Sequence, residues 1–182
     1  RIKRIALSEF SAVRPSGLIA ISLSAGDELG WVRLTSGRDD LLLVTAQGQA
    51  LRIKETEIRT MGRQAAGVTS IKLRPGDQLA AMEVVQPEGS LLIVTENGYG
   101  KRVALSAYPV RRRATTGVMT IDRKSIKQIG KIVAARVVHK NDEVTVISTA
   151  GIVLRLKVKG ISQMGRSTRG VRLMDLGESD TV

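Results

Sequence analysis

The hydrophobic positions of this chain fall into short runs that recur. A continuous apolar run, Leu41–Thr45, returns as Leu91–Thr95 and again as Val144–Thr149. Runs of four to six branched residues between turn residues predict strands buried on both faces. Each run is followed by a turn ending in glycine: Ala46-Gln47-Gly48, Glu96-Asn97-Gly98 or Ala150-Gly151. The Asn97-Gly98 pair predicts a tight hairpin with both central residues at positive φ. Behind the turn the pattern changes to alternation, as in Leu51-Arg52-Ile53-Lys54 and Leu154-Arg155-Leu156-Lys157. Successive side chains on a strand point to opposite faces, so the apolar members are expected to face a core and the basic members to face water.

A loop with one fixed glycine continues each unit. Gly67, in Met61-Gly-Arg-Gln-Ala-Ala-Gly67-Val68, has counterparts at Gly17, Gly117 and Gly170, spaced by 50, 50 and 53 residues. A glycine at one place in every repeat marks a positive φ or a spot where no side chain fits. Another strand is expected after it, at Leu18–Leu23, Val68–Leu73, Val118–Ile121 and Val171–Leu176. The turn Pro75-Gly76-Asp77, echoed by Gly26-Asp27, then leads into a last strand, Leu79–Val85. In the third unit Lys124–Gly130 replaces that short turn, which accounts for the longer spacing. A period of this length with four strands per unit predicts propeller-type blades. The expected fold is therefore all-β, a propeller-like array forming a single domain over 1–182. Its repeats fall near 1–38, 39–88, 89–140 and 141–182, with the first and last partial and strand edges left unpaired at both ends. A chain that starts at Arg1 and is cut in this way reads as a piece of a longer polypeptide.

Charge narrows the function. Lys and Arg number 29 against 17 Asp and Glu, a formal net charge of +12, which favours an anionic partner. The chain has no Cys, which excludes disulfides and thiolate metal sites and fits the cytosol. Phe10, Trp31, Tyr99 and Tyr108 are the only aromatic residues, too few for a platform that stacks single-stranded bases. No apolar run is long enough to span a membrane and no leader opens the chain, so a cytoplasmic location without a membrane partner is expected.

Superposing the repeats turns this charge into columns. Arg4, Arg52, Arg102 and Arg155 share one position on the alternating strand. Lys101 precedes one of them, and Lys54 and Lys157 stand two residues beyond. Arg63, Arg113 and Arg166 lie four residues before the fixed glycine, with Arg111, Arg112 and Arg169 in the same loops. Arranged around an axis, such columns make a basic belt. Duplex DNA is a chain of phosphates long enough to follow one, with an affinity independent of base sequence and steeply weakened by salt. Arginine can hold a phosphate with two donors. The competing reading is that outward strand positions simply carry arginines paired with acids; the sequence offers no matching acidic column, which favours the belt. Reversing Arg52, Arg102 and Arg155 to Glu is then expected to weaken DNA binding by orders of magnitude and leave the fold intact.

The other candidates resolve into structure. Asp39-Asp40 and Asp142-Glu143 occupy the same turn ahead of the buried strand in two repeats, which points to a turn role rather than a metal or acid–base pair. His139 is the only histidine and has no triad or zinc partner. Gly98-Tyr-Gly-Lys101 resembles part of a phosphate loop but leads into no helix. Tyr99 and Tyr108 are conceivable nucleophiles, yet Phe10 stands where Tyr108 does in its repeat, which argues for packing. No constellation of acid, base and nucleophile survives the comparison.

Glu96-Asn-Gly-Tyr-Gly-Lys-Arg102, Met61–Val68 and Gly165-Arg-Ser-Thr-Arg-Gly-Val171 resemble the C-terminal domain of bacterial DNA gyrase A, and the likeness runs over essentially the whole chain. The resemblance implies a β-pinwheel, a ring of four-stranded blades that exchange strands with their neighbours, with DNA wrapped around a basic perimeter. It puts Arg52, Lys54, Arg63, Arg102, Arg113, Arg155, Lys157 and Arg166 on that perimeter. It also implies a non-catalytic module of a type II topoisomerase, in a heterotetramer of gyrase A and gyrase B, with ATP and Mg used by other parts of the enzyme and no cofactor expected here. The equivalent domain of topoisomerase IV and a propeller-type protein-interaction platform are the alternatives.

Overall fold

A computed structural model describes residues 1–182. The apolar runs and the alternating segments become strands in chain order. They are β1 (Asp40–Thr45), β2 (Gln49–Lys54), β3 (Leu79–Val84), β4 (Ser90–Thr95), β5 (Tyr99–Ala104), β6 (Val118–Met119), β7 (Ile132–Val138), β8 (Glu143–Ile147), β9 (Val153–Lys157) and β10 (Val171–Arg172). Two four-stranded antiparallel sheets form, with orders β3-β1-β2-β6 and β10-β5-β4-β7, beside the hairpin β8-β9.

These orders show the exchange of strands between neighbouring blades that the resemblance implies. The strand after the fixed glycine crosses to the preceding unit: Val118 of β6 pairs with Ala50 on β2, and Val171 of β10 with Gly100 on β5. Val68 does the same as a single bridge to Ile2. Exchanged strands are also shorter than the alternating pattern suggests, because the chain leaves the edge after two residues to meet the next loop, as where Lys72 N–H donates to the Thr115 carbonyl at 2.9 Å. The Leu18–Leu23 segment pairs with no strand, and Ile19 and Leu23 are exposed.

Two separate constraints require the fixed glycines. Gly67, Gly117 and Gly170 have φ of 81°, 72° and 88°. A side chain on them would also strike the backbone of the accepting strand: a Cβ on Gly67 would lie 2.5 Å from the Ile2 carbonyl oxygen, and one on Gly170 2.7 Å from that of Gly100. One on Gly117 would overlap the Ala50 carbonyl.

The hairpins differ from the expected turn. Of the turn residues only the glycines Gly48, Gly98 and Gly151 adopt positive φ, at 84°, 74° and 84°, while Asn97 does not. The loops 46–48 and 96–98 each hold three residues, closed by Gly48 N–H to the Thr45 carbonyl and Gly98 N–H to the Thr95 carbonyl, both at 3.0 Å. This is the three-residue hairpin with one left-handed glycine. A threonine locks it from beneath. Thr45 Oγ1 donates to the Asp77 carboxylate at 2.7 Å and Thr149 Oγ1 to that of Asp180 at 2.9 Å. In the third unit a helical turn, Ile126–Ile129, offers the Ile129 carbonyl to Thr95 Oγ1 instead.

Each central strand serves two cores at once. On β1, Leu42 and Val44 pack with Leu91 and Ile93 of β4, while Leu41 and Leu43 pack with Ile2, Ile53 and Ile71. On β4, Leu92 and Val94 pack with Val158 and Ile161. Burial on both faces is what a run without alternation demands, and each such side chain contributes about 1.5–3 kcal/mol. Tyr108 lies fully buried in the shared core with its hydroxyl on Thr120 Oγ1, the packing role that Phe10 suggested. No helix is long and apolar enough to cross a membrane.

Candidate nucleic-acid interface

Three of the four arginines in the column on the alternating strand, Arg4, Arg52 and Arg102, do not face open water. At that position the chain of the next unit passes alongside, through parallel bridges joining Arg4 to Thr60, Arg52 to Val110 and Arg102 to Gln163. The guanidinium groups lock this crossing. Arg52 Nε donates to Asp40 Oδ2 at 2.8 Å and its Nη1 to the Leu105 carbonyl at 3.2 Å, leaving the side chain 21% exposed. Arg102 Nε donates to the Ile161 carbonyl at 2.8 Å, and Arg4 reaches the Gly37 carbonyl at 3.5 Å. Arg155 remains 74% exposed but is paired with Glu143.

The expectation that these arginines are uncompensated is therefore corrected for Arg52 and Arg155, while Arg4 and Arg102 meet backbone carbonyls and no acid. A partial acidic column exists, in two of the four units: Asp40 and Glu143 stand at one register position, opposite Lys54 and Lys157, with Ser90 opposite Ala104 between them. Cross-strand pairing hid it, because each acid meets its arginine diagonally across two strands. Lys101 is corrected more sharply. Its side chain is fully buried, with Nζ donating to the carbonyls of Gly165, Arg166 and Thr168 at 2.9, 2.6 and 2.7 Å. It cannot reach a phosphate.

The loops provide the basic surface. Arg113 Nη1 donates to the Thr69 carbonyl at 3.2 Å and Arg166 Nη1 to the Met119 carbonyl at 2.8 Å. Thr69 and Met119 each lie two residues past a fixed glycine, so both arginines fasten a loop to the exchanged strand before it. Arg63 departs from this, with Nε 4.0 Å from Glu9. Backbone contacts carry the line onward: Ala114 N–H reaches the Ser70 carbonyl at 2.5 Å and Asp122 N–H the Thr168 carbonyl at 3.3 Å. The loops 61–67, 111–117 and 165–170 thus follow one another, each set against the strand that continues from the last. Arg111, Arg112, Lys54 and Lys157 are exposed and enter none of the chain's salt bridges. Arg169 is exposed beside Gln128 Oε1 at 3.3 Å.

Further cations adjoin this line that the columns did not single out. Lys72 is exposed where its backbone meets the 111–117 loop, and Lys124 is exposed beyond it. Arg74 and Lys124 both stand seven residues past a fixed glycine, a spacing that could have been read; Lys72 has no basic counterpart in any other repeat.

The minor candidates are accounted for. The Asp39 and Asp142 carboxylates accept the backbone N–H of Ser36 and His139, each at 2.7 Å, and so close turns. His139 Nε2 lies 3.3 Å from the Pro87 carbonyl. Burial pushes the Tyr108 phenol up well beyond its ordinary range, and Tyr99 lies 5.4 Å beneath the Arg172 guanidinium.

Burial also pulls the Lys101 ammonium down from 10.5 to about 8, helped by Arg166 and opposed by Asp122. Below pH 8 the group is charged folded and unfolded alike; between 8 and 10.5 only the unfolded chain keeps the proton. Stability of the native chain relative to Lys101→Met is expected to rise with pH through that window, by up to about 3 kcal/mol. Paired urea melts between pH 7 and 10 check this, and a flat difference contradicts it.

Comparison with known proteins agrees with this geometry. The family described as DNA gyrase C-terminal domain, beta-propeller, matches residues 1–36, 39–86, 89–139 and 142–182. The DNA gyrase A protein of Halalkalibacterium halodurans is 56% identical over 99% of the chain, and that of Salmonella typhimurium 44% identical over 100%. The chain spans 21% and 20% of those proteins' length. Among solved structures, a C-terminal domain of DNA topoisomerase IV superposes with a TM-score of 0.91 at 27% identity, covering 98% of this chain and 56% of that one. A DNA gyrase A C-terminal domain superposes at 0.84 with 29% identity, covering 91% and 56%. With a match in every repeat, strands exchanged between units and glycines seated on their neighbours' backbones, the chain belongs to the DNA gyrase C-terminal domain family of β-pinwheels.

Proposed function

We propose that this chain binds duplex DNA through its phosphates and carries it along the line of rim loops, as the C-terminal module of a gyrase A protein. The observation that carries this reading is the succession of loops 61–67, 111–117 and 165–170, each with arginines and each backed by the strand leaving the previous one. A duplex following them meets cations at every blade. Counterion release at each phosphate supplies affinity without reading bases. The locked arginines contribute differently, by fixing the step from one unit to the next, so that the path of the DNA is set by the protein and bending is imposed along it.

In the parent protein this wrap would present a crossed segment to a strand-passing core, with ATP, Mg and gyrase B engaged elsewhere in a cytoplasmic enzyme. The likeness to topoisomerase IV favours a second reading, the equivalent module of that enzyme, which uses the same phosphate chemistry. The higher identity to gyrase A sequences supports the first.

Duplex length tests the proposal. Affinity per site is expected to climb by tenfold or more between about 15 and about 100 base pairs, since only the longer duplex engages several blades at once. Plasmid relaxed in the presence of the chain should retain a linking difference. Equal affinity at both lengths would confine contact to one unit, and absence of binding to DNA or heparin would favour a protein-interaction module.

A further inference from the structure

The position before the locked arginine holds Lys3, Leu51, Lys101 and Leu154 in successive units. Leu51 is fully buried there, so the blade accommodates an apolar residue at this place. Lys101 fills the same position with an ammonium, which is costly to bury unless hydrogen-bonded. Its partners all belong to one loop of the next unit: the Gly165, Arg166 and Thr168 carbonyls and, at 3.0 Å, Thr168 Oγ1. Thr168 Oγ1 in turn donates to the Gly165 carbonyl at 3.0 Å. Four acceptors converge on three N–H donors, the way backbone carbonyls surround a bound cation. Lys3 makes a related contact two boundaries earlier, with Nζ on the Arg63 carbonyl of the next unit's loop and on the Ala20 carbonyl of its own unit at 2.8 Å. Where Leu51 stands, the 111–117 loop has no such clamp. It is held by its own backbone, through Ala114 N–H, and by Arg113.

We infer that Lys101 is a positioning residue for DNA binding, a buried clamp that fixes the curl of loop 165–168 and thereby places exposed Arg169 and Arg166, whose guanidinium rests on the Met119 carbonyl, along the rim. The fold's acceptance of leucine at the equivalent site separates this role from core packing. With the clamp closed, Arg166 and Arg169 meet phosphates without first losing loop freedom. With it open, the loop carbonyls turn to water and the loop must be ordered when DNA binds, which weakens affinity. The inference rests on the DNA-binding reading for its consequence, but the clamp itself is readable without DNA.

The test pairs Lys101→Met with loop and affinity measurements on the same chain. Hydrogen exchange at residues 165–169 is expected to speed about tenfold in K101M, and trypsin to cut after Arg166 and Arg169, while exchange in β4 stays slow. DNA affinity is expected to fall about tenfold. In an R166A/R169A background K101M should weaken binding no further, because the lysine acts only through those arginines. Unchanged loop exchange would overturn the clamp. A loosened loop with full affinity would overturn the positioning role, as would a further loss in the double-alanine background. Wild type that binds no DNA would instead sink the functional reading while leaving the exchange result to stand. Should K101M not fold, Lys3→Met carries the same exchange test at residues 62–64, with unchanged exchange again overturning the clamp.

Discussion

Gly117→Ala is expected to cost about 3–5 kcal/mol of stability, a large share of a typical domain's total. Two effects add. At φ 72° an alanine is strained, by about 1–2 kcal/mol. Its methyl also overlaps the Ala50 carbonyl and lies close to Leu51 Cα, both backbone atoms that cannot move without breaking the β2–β6 pairing. Gly17→Ala is the internal comparison. Its φ is 76°, nearly the same, but nothing lies within 4 Å of the added carbon, so only the conformational cost of about 1–2 kcal/mol remains. Urea unfolding of the two variants measures the difference. Equal losses would mean that strand exchange is not what these glycines protect.

The second large effect concerns DNA. Reversing Lys54, Arg111, Arg112 and Lys157 to Glu together is expected to lower affinity for a long duplex about a thousandfold at moderate salt, since phosphate contacts are lost and repulsion replaces them. The melting temperature should fall only modestly, because all four side chains are exposed and outside the salt bridges, and the cost is confined to the like charges that the reversals of Lys54 and Lys157 set opposite Asp40 and Glu143, about 0.2–1 kcal/mol each. Arg52→Glu would behave otherwise. A carboxylate there faces Asp40 in place of the guanidinium that paired with it, and abandons the Leu105 carbonyl, costing about 1–3 kcal/mol of stability. Binding lost only through unfolding in the first set, or an Arg52→Glu variant of native stability, would reverse this division of labour between the arginines.

That division was the part of the site the sequence concealed. Repetition made the strands, the glycine column and the basic loops legible, because each depends on residue type at a fixed spacing. Arg52 and Lys101 depend on something else, namely which chain lies opposite. In an isolated blade, Arg52 at an edge position would be solvated. Here the next unit crosses at Val110 and converts the edge into an interface. Lys101 stands between Gly100 and Arg102 in the inward register that holds Leu51 one unit earlier, and what the sequence concealed is the curl of residues 165–168 that supplies acceptors for its buried ammonium. The acidic partners were missed for a related reason, since Asp40 and Arg52 are far apart in sequence and meet only through β1–β2 register. The three-residue hairpin escaped because Asn97-Gly98 satisfies two turn types, and it is the Thr95 lock from beneath that favours the one-glycine form.

The most direct measurement of the central claim is the affinity of the chain for a duplex of about 100 base pairs as salt is raised. Log affinity falls with log salt by about 0.9 per phosphate contacted. Contact along three successive loops predicts a steep slope, equivalent to roughly six or more phosphates, that becomes much shallower in the Lys54, Arg111, Arg112, Lys157 reversal. A slope of one or two contacts, unchanged by that reversal, would contradict a DNA path along the rim.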